Sequence, residues 1–374
     1  MPSLRRQAPP TTPAQGRVDG SRGLAAATEL PSLTSLRGLA AAAVVLFHAS
    51  YFAANYGGAA PPGLWQRGYL AVDLFFFLSG FVLTHVYHGR LEGQRRWPAV
   101  GRFLWARFCR IYPACLFTTG VLAFKYALGT LFLPPDVSFK TQLTAALLLM
   151  QVPWLDSVAL NGPSWSISAE CYAYLLFPFA VPVIYRLRDS TAAAIFGALL
   201  LAIAIDHPFI AGEETRTCGW GALLRALPEF MSGVIAYRAY ASGRWRGIWQ
   251  KDLVFAGVVA AIVVSLLFDM PDGAVVLLLP ALLLASVANT GRAAGLLGAR
   301  PLRWLGEISY SVYIFQNVAF SLLTAACAWL VAHGLDGSRL AAVAVLFVIA
   351  SGALVHRCID VPLRAALRAG FRTS

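Results

Sequence analysis

The sequence predicts an all-α protein, a polytopic membrane helical bundle with about ten transmembrane helices, and three observations lead to this. Hydrophobic residues make up 58% of the 374 residues and charged residues only 13%, whereas an ordinary soluble domain is about 45–50% apolar and about 25% charged. The apolar residues form blocks of roughly 16 to 27 residues, long enough to span a bilayer as helices. The loops between them alternate between rich and poor in basic residues. These features exclude a typical cytosolic enzyme, a disordered chain and a disulfide-stapled secreted module.

Three regions follow from composition. Residues 1–30 are rich in Pro, Ala, Thr and Arg without apolar periodicity, which predicts a disordered cytoplasmic tail. Residues 31–365 form the transmembrane domain, and residues 366–374 a short cytoplasmic tail. The ten candidate spans lie at about residues 36–56, 70–89, 108–133, 163–185, 191–206, 218–237, 252–268, 273–290, 304–330 and 338–358. The further apolar run 141–152 has only 12 residues, which is typical of a re-entrant or interfacial segment.

The distribution of basic residues predicts the orientation of the bundle. With the N-terminus in the cytoplasm, 23 of the 30 Lys and Arg residues fall on the cytoplasmic side and three within spans. The opposite side has only Arg67, Lys140, Arg216 and Arg339. Basic residues gather in cytoplasmic loops of membrane proteins, so both termini are expected inside. Orientation also accounts for most of the net charge of +12, and we expect the lipid bilayer rather than nucleic acid as a partner.

The six cysteines indicate neither a disulfide framework nor a metal site. Most lie within or at the ends of spans, and no CxxC pair occurs, so the spacing typical of zinc ligands is missing. A single bridge between Cys218 and Cys327 stays open, because both are expected near the outer face.

Two ionisable residues of the first span share a helix face. Arg37 and His48 are eleven residues apart, which is three turns plus roughly 20° and an axial separation of about 16 Å. This places Arg37 at the cytoplasmic mouth and His48 near the middle of the membrane. A neutral histidine there can accept a proton from a hydroxyl or thiol. The alternative is an interhelical histidine with satisfied hydrogen bonds and an arginine that snorkels to the interface.

Two further groups carry candidate chemistry. Arg107 and Arg110 are spaced i, i+3 at the inner mouth of the third span and can clamp phosphates, or they are ordinary positive-inside charge. Glu170 lies about two turns into the fourth span, where a carboxylate needs a partner or a water-filled cavity. It either positions a substrate hydroxyl, orients His48, or forms a salt bridge with Arg225 or Lys125.

Other polar residues of the spans have structural interpretations as well. Asp73 opens the second span near the outer interface, where a solvated carboxylate is the alternative to a functional one. Arg225 and Glu229 are spaced i, i+4, which predicts a self-contained ion pair. Tyr310 and Tyr313 suit either interhelical hydrogen bonds or the wall of a polar cavity.

Six motifs now resemble a known family in their order along the chain. They are Leu36-Arg37-Gly38-Leu39-Ala40 with Phe47-His48, Val72-Asp73-Leu74-Phe75-Phe76 with Leu78-Ser79-Gly80-Phe81, Arg107-x-x-Arg110-Ile111-Tyr112-Pro113, Trp165-Ser166-Ile167-Ser168-Ala169-Glu170 with Tyr172-x-Tyr174, Leu305-Gly306-Glu307-Ile308-Ser309-Tyr310-Ser311-Val312-Tyr313, and Asp360-Val361-Pro362. Over roughly residues 32–365 the chain resembles the acyltransferase 3 family of integral membrane acyltransferases, bacterial members of which O-acylate glycans.

The resemblance implies an activity and its residues. It implies a cytoplasmic acyl-CoA donor, with acetyl-CoA favoured, used as a substrate rather than a bound cofactor, a carbohydrate or glycolipid acceptor hydroxyl, and the bacterial inner membrane. Arg37 and His48 match the family's Arg-x10-His signature, which is treated as catalytic. Arg107 and Arg110 match an Arg-x-x-Arg motif near the CoA end. The chain departs from the pattern at Gln316, where members commonly carry His, and at Asp360, where Glu is usual. It resembles the stand-alone form without an extracytoplasmic SGNH hydrolase-like domain.

Taken together, the residues and the resemblance predict a membrane O-acyltransferase. His48 is the base, Arg37 positions the donor, Glu170 is the third catalytic candidate, and Arg107 and Arg110 bind CoA. A second tier for substrate binding or support comprises Asp73, Trp165, Ser166, Tyr310 and Tyr313. The rival function is a transporter or flippase for a glycolipid or anionic solute, which would use the same charges as a binding track. A non-catalytic scaffold is the third possibility.

Overall fold

A computed structural model describes residues 30–56, 63–91, 96–209 and 217–370, and every regular element within them is a helix. The predicted tail up to residue 29, residues 371–374, and Arg95 and Arg216 of the charge distribution lie outside these ranges. The long helices are α1 (Pro31–Ala54), α2 (Ala71–Tyr87), α3 (Arg96–Ala127), α4 (Ser164–Arg186), α5 (Asp189–Phe209), α6 (Gly219–Ala241), α7 (Asp252–Leu267), α8 (Leu279–Ala288), α9 (Arg300–Ala332), α10 (Gly337–Val355) and α11 (Val361–Gly370).

Shorter elements connect these helices. They are the helices Gly63–Gln66, Phe139–Leu147, Arg246–Trp249, Asp272–Val276 and Arg292–Leu297, the 3-10 turns Gly68–Leu70 and His88–Arg90, and the π-helical turn His356–Asp360, which joins α10 to α11. A helix lies at each of the ten predicted spans. The nine-residue helix Phe139–Leu147 occupies the run that was expected not to cross, and it is too short to span a bilayer.

The length and composition of the helices identify fewer membrane-spanning candidates than the ten that the apolar blocks predict. Within the described ranges, four helical stretches are long and apolar enough to cross a membrane, namely Pro31–Ala54, Gly68–Arg90, Ser164–Arg186 and Gly337–Gly370. The stretches Asp189–Ile205, Asp252–Leu267 and Asp272–Ala288 are apolar but shorter. The protein is therefore an all-helical membrane protein, and the number of ten crossings and the inside position of both termini stay predictions.

Two predicted spans differ from the helices that occupy them. α3 begins at Arg96, twelve residues before the predicted start, and it continues through Pro113. Its first turns carry several arginines, which lower the local hydropathy, but Ala99, Val100 and Phe103 share one buried face and keep the amphipathic helix on the bundle. The eighth span is broken between Val276 and Leu279.

Reciprocal glycines set the closest helix crossings. A Cβ on Gly38 of α1 would lie 2.5 Å from the backbone nitrogen of Gly306, and a Cβ on Gly306 of α9 would lie 2.0 Å from the carbonyl oxygen of Thr34. In the same way, a Cβ on Gly80 of α2 would lie 1.9 Å from the carbonyl oxygen of Phe230 on α6. Small residues let helix backbones approach in membranes, so these positions hold α1 against α9 and α2 against α6.

We expect Gly80→Ala to destabilise the protein, because the new methyl group must push α2 away from α6. Overpacking of this kind costs about 1–3 kcal/mol. Gly197→Ala in α5 is the matched control, since a Cβ there meets no atom within 4 Å and alanine favours a helix. The measurement is the thermal unfolding midpoint in detergent. Equal midpoints for the two variants would contradict the close crossing.

Candidate active site

The N-terminal end of α1 carries one side of a group of basic residues. The Arg37 guanidinium is half-buried and donates from Nη2 to the carbonyl oxygen of Gly306 at 2.9 Å. The crossing of α1 and α9 at Gly38 makes this bond possible, because the two backbones are in contact there. Arg110, Arg364 and Glu170 are electrostatic neighbours of Arg37. We call Arg37, Arg110 and Arg364 the basic cluster.

The two arginines of the Arg-x-x-Arg motif point to different neighbours. Arg110 donates from Nη1 to Asp360 Oδ2 at 3.3 Å, and its guanidinium lies 5.2 Å from the centre of the Tyr310 ring. Arg107 lies 5.7 Å from the centre of the Tyr87 ring. Both side chains are half-buried. The aromatic faces hold the guanidinium planes and leave hydrogen-bond donors available for an anion.

Glu170 lies between the basic cluster and Tyr313, since it is an electrostatic neighbour of both Arg37 and Tyr313. Its Oε1 accepts a hydrogen bond from the hydroxyl of Ser79. The salt bridge to Arg225 or Lys125 is therefore wrong. In the sequence Ser79 is only one residue of the Leu78-Ser79-Gly80-Phe81 motif, and no local pattern signals its pairing with Glu170, because the two positions are 91 apart.

His48 presents one nitrogen for proton transfer. Its Nδ1 lies 2.9 Å from the carbonyl oxygen of Val44. A carbonyl oxygen only accepts hydrogen bonds, so in the neutral ring we assign the proton to Nδ1 and the lone pair to Nε2. The side chain of Gln316 on α9 is fully buried and is the neighbouring polar group of the ring, and the Phe47 ring packs edge-on at 4.9 Å. A half-buried imidazole with Nε2 as its basic atom can act as a general base.

Asp73 and Arg225 form a buried ion pair between α2 and α6. Asp73 is 0% exposed and Arg225 4%, and the guanidinium donates from Nε at 2.6 Å and from Nη2 at 2.9 Å to the two carboxylate oxygens. The Trp165 ring lies 5.2 Å from the guanidinium. Two interpretations are corrected here. Asp73 is not solvated, and the hydrogen-bonded partner of Arg225 is Asp73 rather than Glu229, which is its electrostatic neighbour.

The remaining second-tier residues divide between two places. The hydroxyls of Ser166 and Tyr313 are 2.7 Å apart, and Arg225 and Asp73 are electrostatic neighbours of Tyr313. Tyr310 instead lies at the basic cluster, where its hydroxyl donates to the carbonyl oxygen of Ile111 at 2.5 Å. Both tyrosines thus make interhelical hydrogen bonds, one of the two roles that the sequence left open for them.

A polar contact links the turn before α2 to the short helix Asp272–Val276, near the C-terminal half of α1. Arg67 donates to Asp272 from Nε at 3.1 Å and also from Nη2, and the Tyr69 hydroxyl donates to the same carboxylate at 2.7 Å. Partial burial disfavours the charged guanidinium, but the bonds to Asp272 outweigh it and raise the pKa of Arg67 above its usual value. The centres of the Tyr69 and Phe47 rings are 5.5 Å apart. The contact therefore lies next to Phe47, which packs against His48.

No disulfide joins Cys218 and Cys327, so the bridge that the sequence left open is not formed. His356, Asp360 and Arg364 were missed as site residues. Their i, i+4 spacing at the end of α10 is the one signal that could have found them.

Comparison with known proteins decides the family. The model of the acyltransferase 3 family, described as an acyltransferase domain, matches residues 30–357. The chain belongs to this family. It is 33% identical to acyltransferase MdmB of Streptomyces mycarofaciens, over 76% of this chain and 77% of that protein. No solved structure matches.

Two further relatives cover different lengths. The chain is 37% identical to protein 2 in the picA locus of Rhizobium radiobacter, over 49% of this chain and 94% of that protein. It is 23% identical to peptidoglycan O-acetyltransferase OatA of Listeria monocytogenes, over 79% of this chain and 50% of that protein. The chain thus spans about half the length of OatA. Family membership makes this acyltransferase 3 protein an enzyme that transfers acyl groups.

We expect Asp73→Asn to destabilise this acyltransferase by about 3–5 kcal/mol, because it leaves the buried guanidinium of Arg225 without its counter-ion. The double variant Asp73→Asn with Arg225→Gln should recover part of the loss, since the guanidinium that lost its carboxylate partner is then removed as well. Asp136→Asn, at an exposed loop position, is the control. Thermal unfolding in detergent measures all three, and a single variant as stable as the wild type would refute the pair's structural role.

Proposed function

We propose that the protein transfers an acyl group, in particular acetyl, from acyl-CoA to a hydroxyl of a glycan or glycosylated small molecule. The observation that carries the proposal is the arrangement along α1. A basic cluster lies at one end, and a histidine with Nε2 as its basic atom lies on the same face about 16 Å further along the helix. The basic cluster can bind the phosphates of the donor, and the histidine can take the proton of an attacking hydroxyl.

The names of the relatives support the acceptor class. One is an acyltransferase and another a peptidoglycan O-acetyltransferase, which favours a hydroxyl on a carbohydrate. The apolar helices support a reaction at a membrane. We place the enzyme in the bacterial cytoplasmic membrane as a multi-pass protein, with the basic cluster and the tails 1–30 and 366–374 on the cytoplasmic side, where acyl-CoA is available.

The reaction assigns one task to each residue. The acceptor oxygen bonds to the thioester carbonyl carbon while its proton passes to Nε2 of His48. The carbon–sulfur bond then breaks, sulfur takes the electron pair, and His48 returns the proton to the departing thiolate of CoA. The Val44 carbonyl keeps Nε2 as the basic atom throughout. Arg37 positions the donor. Glu170, whose carboxylate is held by the hydrogen bond from Ser79, restrains the polar side chains beside the donor.

Donor binding tests the assignment of Arg107 and Arg110. Replacing either by Gln should weaken CoA binding about tenfold or more, because one charge-assisted hydrogen bond is worth about 1.5–3 kcal/mol. Arg102→Gln is the matched control on the same helix, since Arg102 is exposed. The dissociation constant of CoA in nanodiscs at fixed salt is the measurement. Equal weakening in all three variants would mean that only the general surface charge matters.

Transfer tests the assignment of His48. His48→Gln should bind CoA as the wild type does. Its rate of acyl transfer should fall at least about a hundredfold, because a general base contributes at least about that factor to the rate. The assay follows free-thiol release from acetyl-CoA by purified protein with an envelope-glycan extract. A wild-type rate for His48→Gln would rule out the base. Translocation of a solute without thiol release would favour the transporter.

A further inference from the structure

A carboxylate on the π-helical turn between α10 and α11 gathers two guanidinium groups and an imidazole. Asp360 is 0% exposed. Its Oδ2 accepts hydrogen bonds from Arg364 and, at 3.3 Å, from Nη1 of Arg110, and it lies 3.2 Å from Nδ1 of His356. The hydroxyl of Ser311 on α9 donates to the same oxygen at 3.5 Å. Asp360 thus fixes a side chain of α3 beside a side chain of α11.

This arrangement brings more positive than negative charge together. Arg37, Arg110 and Arg364 are electrostatic neighbours, and the acidic groups near them are Asp360 and Glu170. Placing like charges side by side is unfavourable in a bundle that excludes water. In the described part of the chain, Nε of Arg37 and Nε of Arg364 are buried without a hydrogen bond. Hydrogen-bond donors and net positive charge are therefore available for a bound anion.

We infer that Arg364 joins Arg37 and Arg110 in binding the diphosphate of acyl-CoA, and that Asp360 is the positioning residue that orients Arg110 and Arg364. The inference rests on the proposed function and adds two residues to its donor site. Bidentate guanidiniums suit the paired oxygens of a diphosphate. Asp360 keeps the guanidiniums of Arg110 and Arg364 adjacent, because its negative charge offsets the repulsion between them.

The length of the donor indicates that its diphosphate, rather than its 3′-phosphate, binds to the basic cluster. The pantetheine arm between the diphosphate and the sulfur has the length of about four extended residues, or about 14 Å. Arg37 and His48 are separated by about 16 Å along α1. A diphosphate at the basic cluster therefore brings the thioester to His48. The 3′-phosphate is much further along the molecule from the sulfur, so a cluster that bound it would leave the thioester well beyond His48 or require a folded donor.

The experiment compares two ligands and two arginines. Dissociation constants for CoA and 3′-dephospho-CoA are measured with the wild type, Arg364→Gln and the control Arg357→Gln, whose arginine is exposed about two turns earlier. We expect Arg364→Gln to weaken both ligands about tenfold or more and Arg357→Gln to change neither more than about twofold. Unchanged CoA binding in Arg364→Gln would overturn the site. Weakening of CoA alone would overturn the diphosphate assignment in favour of the 3′-phosphate.

Further variants separate binding from folding. Arg364→Lys keeps the charge but loses the fork of donors, and it should weaken both ligands by an intermediate factor with an unchanged unfolding midpoint. Asp360→Asn should weaken both ligands, and Asp360→Glu should restore most of the affinity. Wild-type affinity in Asp360→Asn would overturn the positioning role. A wild-type protein that binds neither ligand would instead refute the proposed function itself.

Discussion

The close crossing of α1 and α9 is the contact on which the rest of the site depends. Gly38 and Gly306 bring the two backbones together, and the consequences run along the whole length of α1. At one end the carbonyl of Gly306 accepts the Arg37 hydrogen bond. Further along, Gln316 of α9 lies beside His48, and Phe320 packs 5.2 Å from Phe52. One helix pair therefore sets the surroundings of both Arg37 and His48, the residues to which we assign donor positioning and proton transfer.

The cost of charge in an apolar bundle explains how the polar residues are divided. Asp73 and Arg225 neutralise each other with two hydrogen bonds and an aromatic face, and such a pair stabilises one arrangement of α2 and α6. The basic cluster is different, because its guanidiniums outnumber the carboxylates near them. A surplus of this kind is expected where an anionic substrate completes the balance.

The sequence could predict what periodicity and composition control. The shared face of Arg37 and His48 follows from the helix repeat, and the helices at the ten predicted spans follow from apolar blocks. The partners of the buried charges could not be predicted, because they join distant positions. Arg225 pairs with Asp73 across 152 residues although Glu229 is only one turn away. The early start of α3 was missed because its arginines obscure an apolar face, and the Asp360 group was missed because it forms only where α3 meets the end of α10.

The central claim is that the donor threads from the basic cluster to His48. A cryo-electron microscopy structure with acetyl-CoA and the His48→Gln variant, which should hold the donor without turnover, tests this most directly. The account predicts the diphosphate among Arg37, Arg110 and Arg364 and the thioester carbon next to residue 48, within the roughly 3–3.5 Å of a near-attack position for an acceptor oxygen placed there. A thioester that stays outside the bundle, on the far side of Arg37, would contradict it.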